Sequence, residues 1–226
     1  MSRLLLHSAA KPLLFVACLL PLLWLVYGAA TDQLGANPAE ALLRATGDWT
    51  LRFLCLTLAV TPLRMLAGLP ALARFRRMLG LYVYFYALLH LLGYSWFDMG
   101  FELAEIMRDI AKRPFILVGF TAFLLLTPLA LTSFNRAMRW LGARRWQRLH
   151  RLAYATAMLG LLHFFWMRAA KNRLDEVLVY AVILGALLGW RLWRRWGGRP
   201  GPGMGATPNS ARRLLTAESA SARCRA

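Results

Sequence analysis

Two of the chain's four histidines, His90 and His163, lie inside apolar stretches long enough to cross a bilayer. Histidine is costly in hydrocarbon, so a membrane segment that keeps one is expected to use it. In "LGLYVYFYALLHLLGYSWF" (79–97) and "RRWQRLHRLAYATAMLGLLHFFWMR" (144–168) the two fall at similar depth, in the later part of each segment. Two imidazoles are too few for a closed tetrahedral zinc site, and neither segment adds an intramembrane carboxylate or thiolate. A porphyrin brings four nitrogens of its own and needs only two axial ligands. Haem b between His90 and His163 therefore satisfies the ligand count, and would carry one electron at a time. The competing reading is interhelical glue, a histidine bonded to Ser95 or Tyr94.

His150 precedes His163 by 13 residues, roughly 20 Å along a helix. The residue 13 before His90 is Arg77. This pairing allows a second haem near the inner surface, ligated by His150 and contacted by Arg77 through its propionates or its iron. Arginine stays protonated and is a poor iron ligand, and His150 reads equally well as an interfacial histidine in an Arg-rich loop end. His7, before the first apolar run, has no evident task. Cys18 and Cys55 sit in apolar segments and Cys224 near the C-terminus, with no metal-binding spacing. The first two read as small buried hydrophobes.

The elements that must position these histidines follow from composition. Hydrophobic residues make up 59% of the chain, charged ones 17%, and the mean hydropathy is +0.47. A soluble domain sits nearer about 45–50% apolar. The fold class expected is an all-α membrane protein, a bundle of six transmembrane helices at about 12–30, 49–67, 79–97, 114–132, 149–167 and 177–196, each about 19 residues. The net charge of +18 would suggest nucleic acid in a soluble protein, but here the basic residues gather at the ends of apolar runs. Arg64, Arg74, Arg76 and Arg77, the run from Arg136 to Arg151, and the arginines after Arg191 fall on one side. Most carboxylates fall on the other, among them Asp48, Asp98, Glu105, Asp109 and Glu176. By the positive-inside rule both termini are cytoplasmic. Trp24, Trp49, Trp96 and Trp166 mark the outer interface, and Trp140, Trp146, Trp190, Trp193 and Trp196 the inner one. Pro62 and Pro128, each in a "TPL" context, read as tolerated kinks. Residues 1–11 read as a cytoplasmic N-terminus with no cleaved signal, and 197–226, rich in Gly, Pro, Ser and Ala, as a disordered cytoplasmic tail.

The stretches "LGANPAEALLRATGDWTLRFLCLTLAVTPLR" (34–64), "RRMLGLYVYFYALLHLLGY" (76–94), "RPFILVGFTAFLLLTPLALTS" (113–133) and "LGARRWQRLHRLAYATAMLGLLHFFW" (141–166) resemble the ferric-reductase-like transmembrane domain family, the haem-carrying part of NADPH oxidases and ferric reductases. The resemblance covers most of residues 10–196. It implies haem ligation by His90 and His163, with His150 as a third family histidine. The wider oxidase family has four histidines in two pairs, and this chain has Arg77 where the fourth would fall. The bacterial haem-binding subunits of the family imply a role in the inner membrane as an electron-transfer subunit rather than the catalytic one. There they pass electrons from the quinone pool, or from a cytosolic flavin reductase, to a periplasmic molybdopterin enzyme that reduces methionine sulfoxide in oxidised proteins. FMN is implied by the resemblance alone, with no residue to assign to it.

The 30 residues after Trp196 leave no room for a dinucleotide-binding domain, so electrons are expected from a quinol or another protein. Partner contact is expected on the outer loops 31–48, 98–113 and 168–176. Two other readings stand beside this one. One is a free-standing ferric or quinone reductase of the same fold. The other is a proton-coupled transporter with the histidines as relays, against which no discontinuous helix or acidic intramembrane site is visible.

Overall fold

The computed structural model describes residues 6–169 and 174–197, and every regular element among them is helical. The chain divides into two compact units, Met1–Leu188 and Gly189–Ala226. The elements are α1 (Ala10–Ala30), α2 (Pro38–Leu66), a 3-10 turn (Pro70–Phe75), α3 (Arg76–Gly93) running into a π-helical turn (Tyr94–Asp98), α4 (Leu103–Lys112), α5 (Pro114–Leu131), α6 (Asn135–Leu149), α7 (Leu152–Ala169) and α8 (Leu174–Gly197). Of the second unit only the end of α8 is described, where Arg194 lies over the Trp190 ring at 5.4 Å. Apart from Gly197, the expected tail lies outside the described residues, as do 1–5 of the expected N-terminal segment.

Among the described residues five helices are long and apolar enough to cross a membrane: Ala10–Ala30, Pro38–Leu66, Pro70–Asp98, Pro114–Leu131 and Leu174–Trp196. The chain is thus an all-helical, multi-pass membrane protein. The expected fifth crossing, 149–167, corresponds to α7, which has 18 residues and carries both His163 and Arg168.

Two expected boundaries move for local reasons. α2 starts well before residue 49, because the Asn37 side chain accepts from the Glu40 N–H at 3.1 Å and Pro38 takes the first helical position. At 29 residues α2 is about 43 Å long. Its first turns therefore stand beyond a hydrocarbon layer of about 30 Å. His150 does not begin α7: it caps the C-terminus of α6, a basic helix broken at Gly142 (φ 71°, ψ 156°) where an Arg-rich loop was expected. In the expected outer loop 98–113 stands α4, with Leu103, Ile106, Met107 and Ile110 on one face and Glu105, Arg108, Asp109 and Lys112 off it.

α1 and α3 run parallel, pinned by two tyrosines. The Tyr82 hydroxyl donates to Phe15 O at 2.8 Å. The fully buried Tyr86 hydroxyl donates to Cys18 O at 2.9 Å and accepts from the Leu22 N–H at 3.2 Å. Its oxygen thereby bridges the helical ladder beside Pro21, whose own nitrogen has no hydrogen to give. The most extensive packing is within two antiparallel pairs, α2 with α3 and α5 with α7. Each pair carries one of the two half-buried histidines, His90 and His163.

Candidate functional site

His90 comes from late in α3 and His163 from late in α7. Their ring centres are 6.2 Å apart, with the planes at 78°. An iron holding two axial imidazoles at about 2 Å per bond, with each ring centre about 1.1 Å further out, needs a separation of about 6 Å. Neither histidine is bonded to the partners named as the competing reading. Ser95 donates to Leu91 O at 2.9 Å, and Tyr94 donates to Asp109 Oδ2 at 2.7 Å.

Instead, each imidazole is held by the neighbouring helix of its own pair. His90 Nδ1 is 2.9 Å from Leu43 O, and His163 Nδ1 is 2.7 Å from Phe115 O. A carbonyl can only accept, so both Nδ1 atoms carry the proton. Both Nε2 atoms are then left with a lone pair, the tautomer a metal ligand requires. A hydrogen bond at the far nitrogen also fixes the ring orientation and raises ligand basicity.

The same construction explains two glycines. In a helix the carbonyl of residue i faces the N–H of residue i+4. Four residues after Leu43 is Gly47, and four after Phe115 is Gly119. A histidine reaching either carbonyl must lie across that later residue. A Cβ on Gly47 would stand 3.1 Å from His90 Cε1 and 3.2 Å from its Nδ1. A Cβ on Gly119 would stand 2.8 Å from both Cε1 and Nδ1 of His163, closer than such atoms approach. The absent side chain is what admits each ring.

Both histidines line one cavity of about 340 Å³. Its walls are mostly apolar, with Leu51, Leu54, Ala87, Phe120, Phe123 and Leu126 among them. One end carries charge. Arg44 pairs with Glu40, Arg113 with Asp109 at 2.9 Å, and Arg168 with Asp48 at 3.1 Å and Glu176 at 2.9 Å. Arg168 is only 5% exposed, and its two carboxylates offset the cost of burying it. A guanidinium has five N–H donors, so these pairs leave donors to spare for another anion. An apolar slot with two free imidazole nitrogens and three arginines at one end, each with N–H donors beyond those its carboxylate partners use, fits haem, a flat apolar ring with two carboxylate arms. Among the described residues no group of three or more His, Cys, Asp or Glu could hold a bare metal ion.

Arg77 and His150 share neither of the two cavities described among these residues. Arg77 donates to Asn135 Oδ1 at 2.6 Å and lies on a second cavity, between α1 and α3. His150 stacks on Trp146 at 3.8 Å, its Nδ1 lies 3.1 Å from Trp146 O, and its buried Nε2 has no hydrogen-bond partner. Reading the sequence alone missed Gly47, Gly119, Arg44, Arg113 and Arg168. The glycines leave one faint trace, a small residue inside a helix that is otherwise rich in large apolar side chains.

Residues 46–161 match the family model described as ferric reductase like transmembrane component. The match takes in Gly47, His90 and Gly119 and ends just short of His163. A protein of Polaromonas naphthalenivorans (strain CJ2) named protein-methionine-sulfoxide reductase heme-binding subunit MsrQ is 71% identical over 192 residues, 85% of this chain and 88% of its own. Relatives of the same name are 53% identical over 190 residues in Ralstonia nicotianae (84% of this chain, 88% of the relative) and 47% over 197 in Xanthomonas campestris pv. campestris (84% and 89%). No solved structure matches. With half its length on the family model and such identity to these relatives, the chain belongs to the ferric-reductase-like transmembrane family, in the group of its MsrQ members.

Proposed function

We propose that this chain is the haem-carrying electron-transfer subunit of a methionine sulfoxide repair system in the bacterial inner membrane. It spans the membrane six times with both ends in the cytoplasm. It accepts electrons from quinol, or from a cytosolic flavin reductase, and delivers them to a periplasmic molybdopterin methionine sulfoxide reductase, MsrP. The observation that carries this reading is the His90–His163 pair, at 6.2 Å with both Nδ1 atoms committed to carbonyls. The names of the relatives, heme-binding subunits of protein-methionine-sulfoxide reductase, support the cofactor and the existence of a catalytic partner.

His90 and His163 are the axial ligands in this reading. Leu43 O and Phe115 O keep each imidazole in the Nδ1–H tautomer. Arg44, Arg113 and Arg168, at the charged end of the cavity, would pair with the propionate carboxylates. Bound haem b supplies one-electron oxidation and reduction; the apolar walls exclude water from it. MsrP contact falls on the outer loops 31–48, 98–113 and 168–176, beside that charged end. FMN remains a family expectation with no residue assigned. A second haem would take His150, the third family histidine. Arg77, which donates to Asn135 on the helix that His150 caps, is the candidate contact to it.

The functional test is reconstitution in lipid vesicles with a reduced quinol, purified MsrP and methionine sulfoxide. Sulfoxide reduction that requires this chain, and stops with His90→Ala, is the expected result. A haem-loaded chain that MsrP does not reoxidise would contradict the proposed acceptor.

A further inference from the structure

The segment that joins the Pro70–Asp98 crossing to the Pro114–Leu131 crossing exposes large apolar side chains. On α4, Leu103 is 70% and Met107 55% exposed. Just before it, Trp96 (65%), Phe97 and Phe101 (55%) are exposed as well. The Trp96 ring centre lies 5.7 Å from that of Phe97 and 6.2 Å from that of Phe101. Phe101 reaches this place in the left-handed region (φ 60°), which a bulky residue adopts rarely and at a cost. Its N–H donates to Ser95 O at 2.7 Å, which holds the turn.

Around α4 the residues fall in three sectors, at about 100° per residue. Asp109, Ile106 and Ile110 face the protein: Asp109 accepts from the Tyr94 hydroxyl at 2.7 Å, and Ile110 is buried on the histidine cavity. Leu103, Met107, Ala104 and Ala111 come next, all four exposed. Arg108, Lys112 and Glu105 close the circle, also exposed, with Arg108 paired to Glu105 at 2.6 Å. A contiguous apolar surface of this kind marks a contact, and a helix with one apolar and one charged side buries the first in the headgroup–acyl boundary of a bilayer.

The chain path keeps α4 at the membrane surface. Four residues separate it from the crossing that ends at Asp98, and Arg113 alone separates it from Pro114 at the start of the next. Exposed Leu92, inside the first of these crossings, is followed four residues later by Trp96, so the patch continues the face already turned to lipid. Tryptophan at the end of a span is the residue type of the interface itself.

We propose that α4 lies in the bilayer interface, with Trp96, Phe101, Leu103 and Met107 seated among lipid headgroups and upper acyl chains. The occupant of this patch is lipid, and the edge of α4 left to a protein in water is Glu105, Arg108 and Lys112. The placement stands whether or not haem is bound in the histidine cavity.

The test uses the full chain with Cys224→Ser in nanodiscs of phosphatidylethanolamine and phosphatidylglycerol. A nitroxide is attached singly through Leu103→Cys, Met107→Cys, Arg108→Cys or Lys112→Cys; Cys18 and Cys55 are buried. Collision with dissolved oxygen should exceed collision with a water-soluble nickel chelate severalfold at Leu103 and Met107, and the order should reverse at Arg108 and Lys112. A second measurement needs no substitution: a phospholipid with a diazirine in its acyl chain should, on illumination, label the native chain within residues 96–107. Collision dominated by the nickel chelate at Leu103 and Met107, or no diazirine label within 96–107, would overturn the proposal. Loss of oxygen collision at those two positions on addition of purified MsrP would overturn it in favour of a protein contact.

Discussion

The α2–α3 pair and the α5–α7 pair build the same half-site with different tolerance. In each, a histidine late in the second helix reaches a carbonyl early in the first, 47 residues away in one pair and 48 in the other. In each, glycine stands four residues after that carbonyl. The halves differ in clearance. The His163 half has the shorter bond, 2.7 against 2.9 Å. It also leaves no room at Gly119, where a Cβ would sit 2.8 Å from the ring, against 3.1 Å at Gly47. The difference teaches that helix spacing, more than histidine itself, fixes where the ligand nitrogen points. The two halves are then tied by an ion pair. Asp48, next to Gly47, holds Arg168, which follows His163 on α7.

Substitutions can break or sharpen that comparison. The largest effect is expected from His90→Ala or His163→Ala. Either should abolish the six-coordinate haem, because one axial ligand leaves the iron weakly held; low-spin haem retained in both variants would refute the ligand assignment. Gly119→Ala comes next. Its methyl must displace the His163 ring or part α5 from α7, at a cost of about 1–3 kcal/mol, so haem content should fall well below wild type. Gly47→Ala should be milder, since a shift of a few tenths of an ångström clears the contact. Haem should be kept, with a shifted midpoint potential as the changed bond to Leu43 O alters ligand basicity. A redox titration of both variants tests the order, and a Gly47 variant worse than the Gly119 one would invert the comparison. The smallest effect is expected from His150→Ala, which should leave the haem between His90 and His163 spectrally unchanged. If haem per chain falls by one equivalent in that variant, the second site is established.

The histidines were legible in the sequence because a polar residue in an apolar run stands out against its surroundings. The main crossings were legible for the same reason of composition. Gly47 and Gly119 were not, because each answers to a histidine more than 40 residues away and no local pattern links them. The pairing of Arg77 with His150 assumed one straight helix through His150 and His163. The α6 cap at His150 breaks that ruler, and α7 starts only at Leu152. α6 was hidden because its arginines also encode topology, and α4 because ten amphipathic residues are too few to register as a span.

The most direct measurement is a reduced-minus-oxidised optical spectrum of the purified chain, made with ample haem supply, with haem and flavin quantified per polypeptide. A bis-histidine b-type spectrum with at least one haem per chain is the predicted result. Protein that folds, purifies intact and carries no haem would contradict the central claim, because it would leave two Nε2 lone pairs 6.2 Å apart by ring centre with nothing to hold.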